Sequence, residues 1–223
     1  QDGVKVVKFS ADGATYSIQN LMNPGIFMQG VNFADINNDG WLDIFACHDD
    51  GVAKIFSNNG AGQFAFEPNW IDLTTFPTSD NSGNYGSVWS DFDNDNDLDL
   101  YIAKCRQGVS NSADPRRINQ LFVNNGDGTY TQDTANVYGL RIGAQSWTAD
   151  FGDIDNDGDF DCLVTNHDVP SMLLENDGAG HFTNIGPASG IASQITGLPI
   201  QGVFRDFDND GFVDILIAGS EHH

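Results

Sequence analysis

One acidic nine-residue pattern is written four times along the 223 residues: Asp35-Ile-Asn-Asn-Asp-Gly-Trp-Leu-Asp43, Asp91-Phe-Asp-Asn-Asp-Asn-Asp-Leu-Asp99, Asp153-Ile-Asp-Asn-Asp-Gly-Asp-Phe-Asp161 and Asp206-Phe-Asp-Asn-Asp-Gly-Phe-Val-Asp214. Oxygen-bearing side chains recur at positions 1, 3, 5 and 9, and position 7 can add a backbone carbonyl. A hard cation such as Ca²⁺ gathers about six to eight oxygens in this way. The assigned ligands are Asp35, Asn37, Asp39, Trp41 and Asp43; Asp91, Asp93, Asp95, Asp97 and Asp99; Asp153, Asp155, Asp157, Asp159 and Asp161; and Asp206, Asp208, Asp210, Phe212 and Asp214. Trp41, Asp97, Asp159 and Phe212 stand at position 7 and serve through the backbone. Glycine at position 6 permits a sharp turn, and Asn96, which takes its place in the second copy, tolerates the left-handed region better than other side chains do. A lone copy would read equally well as a solvated acidic turn. Four copies in register make that reading untenable.

An EF-hand needs a bidentate Glu at position 12 and flanking helices, whereas position 12 here is Ala46, Ile102, Leu163 and Ile217. Apolar, partly β-branched runs follow each loop, and an aromatic (Phe33, Trp89, Phe151, Phe204) stands two residues before it. Each loop therefore joins two strands. The first aspartates are 56, 62 and 53 residues apart, which leaves room for a unit of several short strands and marks a propeller or solenoid. A second landmark keeps the same period. The glycine-rich turns Asn58-Asn-Gly-Ala-Gly-Gln-Phe64, Asn124-Asn-Gly-Asp-Gly-Thr-Tyr130 and Asn176-Asp-Gly-Ala-Gly-His-Phe182 each lie between apolar runs, the mark of a β-hairpin.

The two landmarks are out of phase at the ends. A degenerate hairpin, Ala11-Asp-Gly-Ala-Thr-Tyr16, precedes the first loop, and no hairpin follows the last. The expected architecture is an all-β propeller of four-stranded blades forming a single domain, or a section of a larger propeller. Its repeats span about 27–68, 83–134 and 144–186, with a fourth at 198–219 completed by strands from 4–19. Since each loop lies in its own blade, the sites are expected to fill independently.

The Phe/Trp-x-Asp-x-Asp-x-Asp-Gly-x-x-Asp loops and the Asn-x-Gly-x-Gly-x-Phe hairpins resemble the FG-GAP/VCBS repeats, related to the calcium-bearing blades of integrin α-subunit propellers. The resemblance covers nearly the whole chain. It implies a β-propeller with calcium in inter-strand loops, usually outside the cell, in adhesion, carbohydrate binding or surface assembly. Such propellers most often have seven blades, and this sequence holds about four.

The formal charge of −23 fits this reading, because more than half of the 32 acidic side chains lie within or beside the loops. Four bound Ca²⁺ would bring the balance to about −15, turning self-repulsion into ligand charge. With 9 Lys plus Arg, no basic stripe is available for phosphates, so nucleic acid is not an expected partner. No run approaches the ~20 apolar residues of a membrane helix. The sequence opens on a structured repeat, as a processed, secreted chain would, and loops of modest calcium affinity fill outside cells. Secretion or display at the cell surface is expected.

Cys47, Cys105 and Cys162 sit at unlike offsets from their loops and read as buried free thiols, with a bridge between Cys47 and Cys105, which share strand parity in neighbouring repeats, as the alternative. His48, His167 and the His222-His223 pair follow corresponding strands without a zinc pattern. No Gly-x-Ser-x-Gly elbow, His-Glu-x-x-His helix or phosphate loop is present, and the aspartates are committed to cations. A non-enzymatic module is expected, with a glycan or an extracellular protein as its ligand. The ligand surface is sought in the connections, at Trp70, Phe76 and Tyr85 and at Arg106, Arg116, Arg117 and Asn119, although Trp70 and Phe76 also suit a blade junction. Two alternatives accompany this reading. One is a structural subunit that joins further copies of itself into an oligomer or filament by strand complementation, and the other is the non-catalytic part of a larger secreted enzyme.

Overall fold

The computed structural model describes residues 3–21, 27–195 and 197–220; His222 and His223 lie outside them. Strands β1 (Lys5–Phe9) and β2 (Tyr16–Asn20) form a hairpin. Three four-stranded antiparallel sheets follow, each in chain order: β3 (Met28–Ala34), β4 (Asp43–His48), β5 (Lys54–Asn58) and β6 (Phe64–Phe66); β7 (Asn84–Ser90), β8 (Asp99–Lys104), β9 (Gln120–Asn124) and β10 (Tyr130–Gln132); β11 (Ser146–Gly152), β12 (Asp161–Asn166), β13 (Met172–Asn176) and β14 (Phe182–Asn184). The last sheet has two strands, β15 (Leu198–Arg205) and β16 (Asp214–Ser220). Every acidic loop thus connects the first strand of a sheet to its second, and every glycine-rich turn connects the third to the fourth.

Strand alternation divides the core between the sheets. On β4, Phe45 and Cys47 face the second sheet and pack with Leu100, Ile102 and Phe122, while Ile44 and Ala46 point the other way. In the same manner Tyr101 and Leu121 of the second sheet meet Cys162, Val164 and Leu174 of the third. Leu163 and Leu173 of the third meet Phe204 of the last, with Ile215 and Ile217 beside them. The second strands of the first three sheets are buried nearly end to end, which explains the continuous apolar runs after the first three loops, whereas β16 of the last sheet is mostly exposed. Cys47, Cys105 and Cys162 are all buried and free.

The first strands lie beside one another in series, β3 against β7, β7 against β11 and β11 against β15. They come close enough to restrict side-chain size. A Cβ added at Gly86 would stand 2.6 Å from the Trp147 carbonyl oxygen. Backbone cannot yield there as a flexible side chain would, so Gly86→Ala is expected to destabilise the fold by about 1–3 kcal/mol. Denaturant unfolding measures this directly, and an unchanged midpoint would mean that the strands pack less closely.

The N-terminal hairpin does not complete the last sheet as its phase suggests. Within this chain β1 and β2 pair only with each other and lie over the first sheet, where Val4 and Val6 pack against Ile44, Ala46 and Phe56. The Gln19 carboxamide donates to the Phe64 carbonyl at 2.7 Å and accepts from its N–H at 3.2 Å, and Lys8 Nζ donates to the Ala61 carbonyl at 2.7 Å. The physical cause is the second apolar face of the first sheet, which a neighbouring hairpin covers. Between the third and last sheets stand two single-turn helices without an advance signal in the periodicity, α1 (Gly186–Ser189) and α2 (Ile191–Gln194). Pro187 lies in the first turn of α1, and Gly190, at φ +81°, separates the two.

Candidate metal centres

Each loop is folded by its own carboxylates before any cation is considered. In the first, Asp35 accepts the N–H groups of Asp39 and Gly40 at 2.9 and 2.7 Å, and Asp39 accepts that of Trp41. The third repeats the pattern, with Asp153 accepting from Asp157 and Gly158. In the fourth, Asp206 accepts from Asn209, Asp210 and Gly211. The position-9 aspartates tie the loop to the sheet. Asp43 accepts from Ile36 at 3.1 Å and from Asn58, the first residue of its hairpin, at 2.8 Å. Asp161 does the same with Ile154 and Asn176, and Asp99 accepts from Asn124. Loop and hairpin are one hydrogen-bonded unit, which explains why the two motifs recur together.

Position 7 is where loop and turn touch. The Trp41 indole lies over Gly60, and the Asp97 and Asp159 carboxylates lie against Gly126 and Gly178. In Asp97 and Asp159 it is Oδ2 that faces the turn, and Oδ1 of each is buried without a partner, whereas Trp41 and Phe212 have only the backbone carbonyl to offer the loop.

Acidic groups converge in three of the four loops. Ligand atoms of Asp91, Asp93 and Asp95, of Asp153, Asp155 and Asp161, and of Asp206, Asp208 and Asp210 lie within 4.8 Å of one another in each set. Asn37 replaces one acid of the first loop; it donates to Asp39 at 2.9 Å and accepts from its N–H at 3.1 Å. The second loop adds a sharper observation. One carboxylate oxygen on each of Asp91, Asp93, Asp97 and Asp99 is buried without a hydrogen-bond partner, as is one on Asp159 in the third. Such groups are costly to bury unless something satisfies them, and a divalent cation fits an oxygen-only donor set of this kind.

The cost is visible in their protonation. Burial, assisted by neighbouring carboxylates, pushes Asp99 up to about 8 and Asp97 and Asp159 up to about 6, and also raises Asp43, Asp93 and Asp161. Without a cation, folded Asp99 keeps a proton that the unfolded chain has released by about pH 4. The folded state therefore binds more protons between about pH 4 and 8, and its stability falls as pH rises through that window. Chelated protein is expected to melt at progressively lower temperature from pH 4 to 8, and added Ca²⁺ should help most at the upper end. A flat profile in chelator would contradict the burial of these acids.

Sequence reasoning missed the asparagine at position 4. Asn38, Asn94, Asn156 and Asn209 all adopt positive φ, between 56° and 62°. Two of them reach the neighbouring loop, Asn94 Nδ2 donating to the Gly158 carbonyl at 3.2 Å and Asn156 Nδ2 to that of Gly211 at 3.0 Å. These bridges join the second loop to the third and the third to the fourth. The recurrence of asparagine at one position in four copies was the available signal.

The surface candidates divide sharply. Trp70 packs against the core shared by the first two sheets, and exposed Phe76 lies under the Arg141 guanidinium, 5.4 Å away. Arg116 pairs with Asp114 at 2.7 Å. Arg117 is buried on Asp168 and on the carbonyls of Val109 and Gly143, and buried Asn119 bonds Tyr101 and Ser146. These side chains brace the insertion. Tyr85 and Arg106 instead meet in one cavity, at the ends of the strands remote from the acidic loops.

A model of the FG-GAP-like repeat family matches residues 35–102, 108–164 and 153–217. No curated protein sequence matches the chain. A solved structure described as the basis of specific recognition of non-reducing terminal N-acetylglucosamine by an Agrocybe aegerita lectin is similar at 19% identity and a TM-score of 0.48. The match covers 83% of this chain and 45% of that one, so the present chain spans less than half of that protein's length. Among the described residues, no helix is long and apolar enough to cross a membrane.

Proposed function

Because the chain belongs to the FG-GAP-like repeat family, we propose that it is a calcium-stabilised, propeller-type binding module that works outside the cell and carries no catalytic function. Its loops hold about four Ca²⁺, and its ligand is a glycan or an extracellular protein, as in adhesion. The observation that carries this reading is the set of buried, unpartnered carboxylate oxygens in the second loop, joined to the convergence of aspartates in the third and fourth. Asp91, Asp93, Asp95 and Asp99, with the position-7 carbonyl, would hold the second ion. Bound calcium supplies the positive charge that lets these acids ionise together while buried. What the chain itself supplies is a prefolded loop, tied to its hairpin through position 9.

A second reading is self-assembly. Val7, Phe9, Tyr16 and Ile18 on the outer side of the N-terminal hairpin are exposed, and so are Ile200 and Leu216 on the two-stranded last sheet. Apolar strands at an open edge can accept strands from another copy, and a head-to-tail contact that does not close builds filaments. Light scattering on calcium-loaded protein separates the two readings. A ligand-binding module stays a monomer or small oligomer at all concentrations. Growth into large species, abolished by deleting residues 1–20, would favour assembly and count against the first reading.

A further inference from the structure

The face remote from the calcium loops holds a second repeated feature that the loops do not explain. In each first strand the register slips at one residue, six positions before the first loop aspartate: Gln29, Tyr85, Trp147 and Ile200. Such a bulge re-aims a side chain and is common beside binding sites. Gln29, Tyr85 and Trp147 line a cavity of about 390 Å³ together with Asp49 and Arg106, which follow β4 and β8. No single sheet builds it.

We propose that this cavity binds the pyranose ring of a neutral saccharide, an inference that rests on the binding-module reading and gives that module its ligand class. Tyr85 and Trp147 are stacked, with ring centroids 5.3 Å apart and planes 18° from parallel, and both are half-buried. Trp147 is held by Tyr85 and by the His167 ring, 5.2 Å away, and its N–H donates to Cys105 Sγ at 3.2 Å, so the indole is a fixed backing for Tyr85, which lines the cavity beside it. The electron-rich face of an aromatic ring attracts the weakly positive C–H face of a sugar ring, for the same reason that aromatic edges seek aromatic faces.

The polar groups suit hydroxyls, each of which both donates and accepts. Gln29 Nε2 donates to Asp49 Oδ2 at 3.1 Å, and Arg106 pairs with Asp49 at 3.3 Å and with Asp50 at 2.6 Å. The Arg106 backbone is clamped by the Gln145 carboxamide, which accepts its N–H at 2.6 Å and donates to its carbonyl at 2.8 Å. A guanidinium compensated by two carboxylates leaves no surplus positive charge for phosphate or sulfate, which points to an uncharged ligand. The volume lies in the roughly 300–1,000 Å³ range of small-ligand sites.

The test uses calcium-saturated protein, folded as judged by its melting transition, titrated with glucose, galactose, mannose and their N-acetylated amino sugars. At least one is expected to bind at roughly millimolar affinity or better. Tyr85→Ala and Asp49→Asn should each weaken it about tenfold, and Trp147→Phe less so, with the melting temperature and calcium stoichiometry retained. Phe76→Ala, outside the cavity, should leave affinity unchanged. Absence of binding by every sugar, binding that Tyr85→Ala and Asp49→Asn do not alter, or occupation of the cavity by a peptide instead would each overturn the proposal. Because calcium is measured separately, failure here leaves the calcium reading standing, whereas failure of calcium binding is seen before any sugar is added.

Discussion

Removing calcium with excess chelator is expected to lower the melting temperature at pH 7 by on the order of 15 °C. A ligand present at a hundred times its dissociation constant stabilises the folded state by about 2.7 kcal/mol per site. For a chain of this size each kcal/mol moves the transition by roughly 2–4 °C. Two filled loops alone would therefore produce about that shift, and four a larger one. The physical origin is local: the second loop buries oxygens of Asp91, Asp93, Asp97 and Asp99 without partners, and a cation of high charge density lets these acids ionise together against the burial and mutual repulsion that otherwise keep Asp99 protonated. Scanning calorimetry in calcium and in chelator would check it. An unchanged transition would mean that the loops contribute nothing through metal.

Asp153→Ala should have the next largest effect. It removes the carboxylate that accepts the N–H groups of Asp157 and Gly158, and with it a ligand of the third site, so that one equivalent of calcium is lost. The consequences should also spread. Asn94 of the second loop bonds the Gly158 carbonyl, and Asn156 of the third bonds that of Gly211 in the fourth. A disordered third loop deprives both neighbours of a fixed partner, so the second and fourth sites are expected to weaken by a few-fold, which corresponds to a coupling of about 1 kcal/mol. Asn94→Gly is the control. Glycine accepts the left-handed backbone that Asn94 holds at φ 61°, while the bridge is lost, so the coupling between the second and third sites should vanish with the ligands intact. Loss of one equivalent with the other sites unmoved would restore independent filling.

The clustering of acidic side chains in the loops was readable because its signal is local. Nine consecutive residues place the oxygens, and burial does not alter which residues they are. Sheet membership was readable for the same reason, since the apolar runs and the glycine turns bracket the strands of the first three sheets. The destination of the N-terminal hairpin was not. Its alternation specifies a face to be covered, but Val4 and Val6 find that face on Ile44, Ala46 and Phe56 of the first sheet, and no local residue distinguishes it from the edge of the last. The cavity proposed for a saccharide was half legible. Tyr85 and Arg106 stood out as an aromatic and a cation in long connections, yet Trp147, Gln29 and Asp49 come from other repeats. They join the set only when the bulged positions are aligned on the loop aspartates and the sheets are placed side by side. Arg117 and Asn119 show the opposite error: polar residues in an insertion look like ligand contacts until their partners, Asp168, Tyr101 and Ser146, are seen.

Equilibrium dialysis of chelator-stripped protein against Ca²⁺ tests the loops most directly, because it counts ions without reference to stability or partner. About four ions per chain should bind, the first loop most weakly because Asn37 replaces an acid there. Binding of none at millimolar calcium, or uptake that survives when Asp91, Asp153 and Asp206 are all replaced by Ala, would contradict the assignment of these loops as calcium sites.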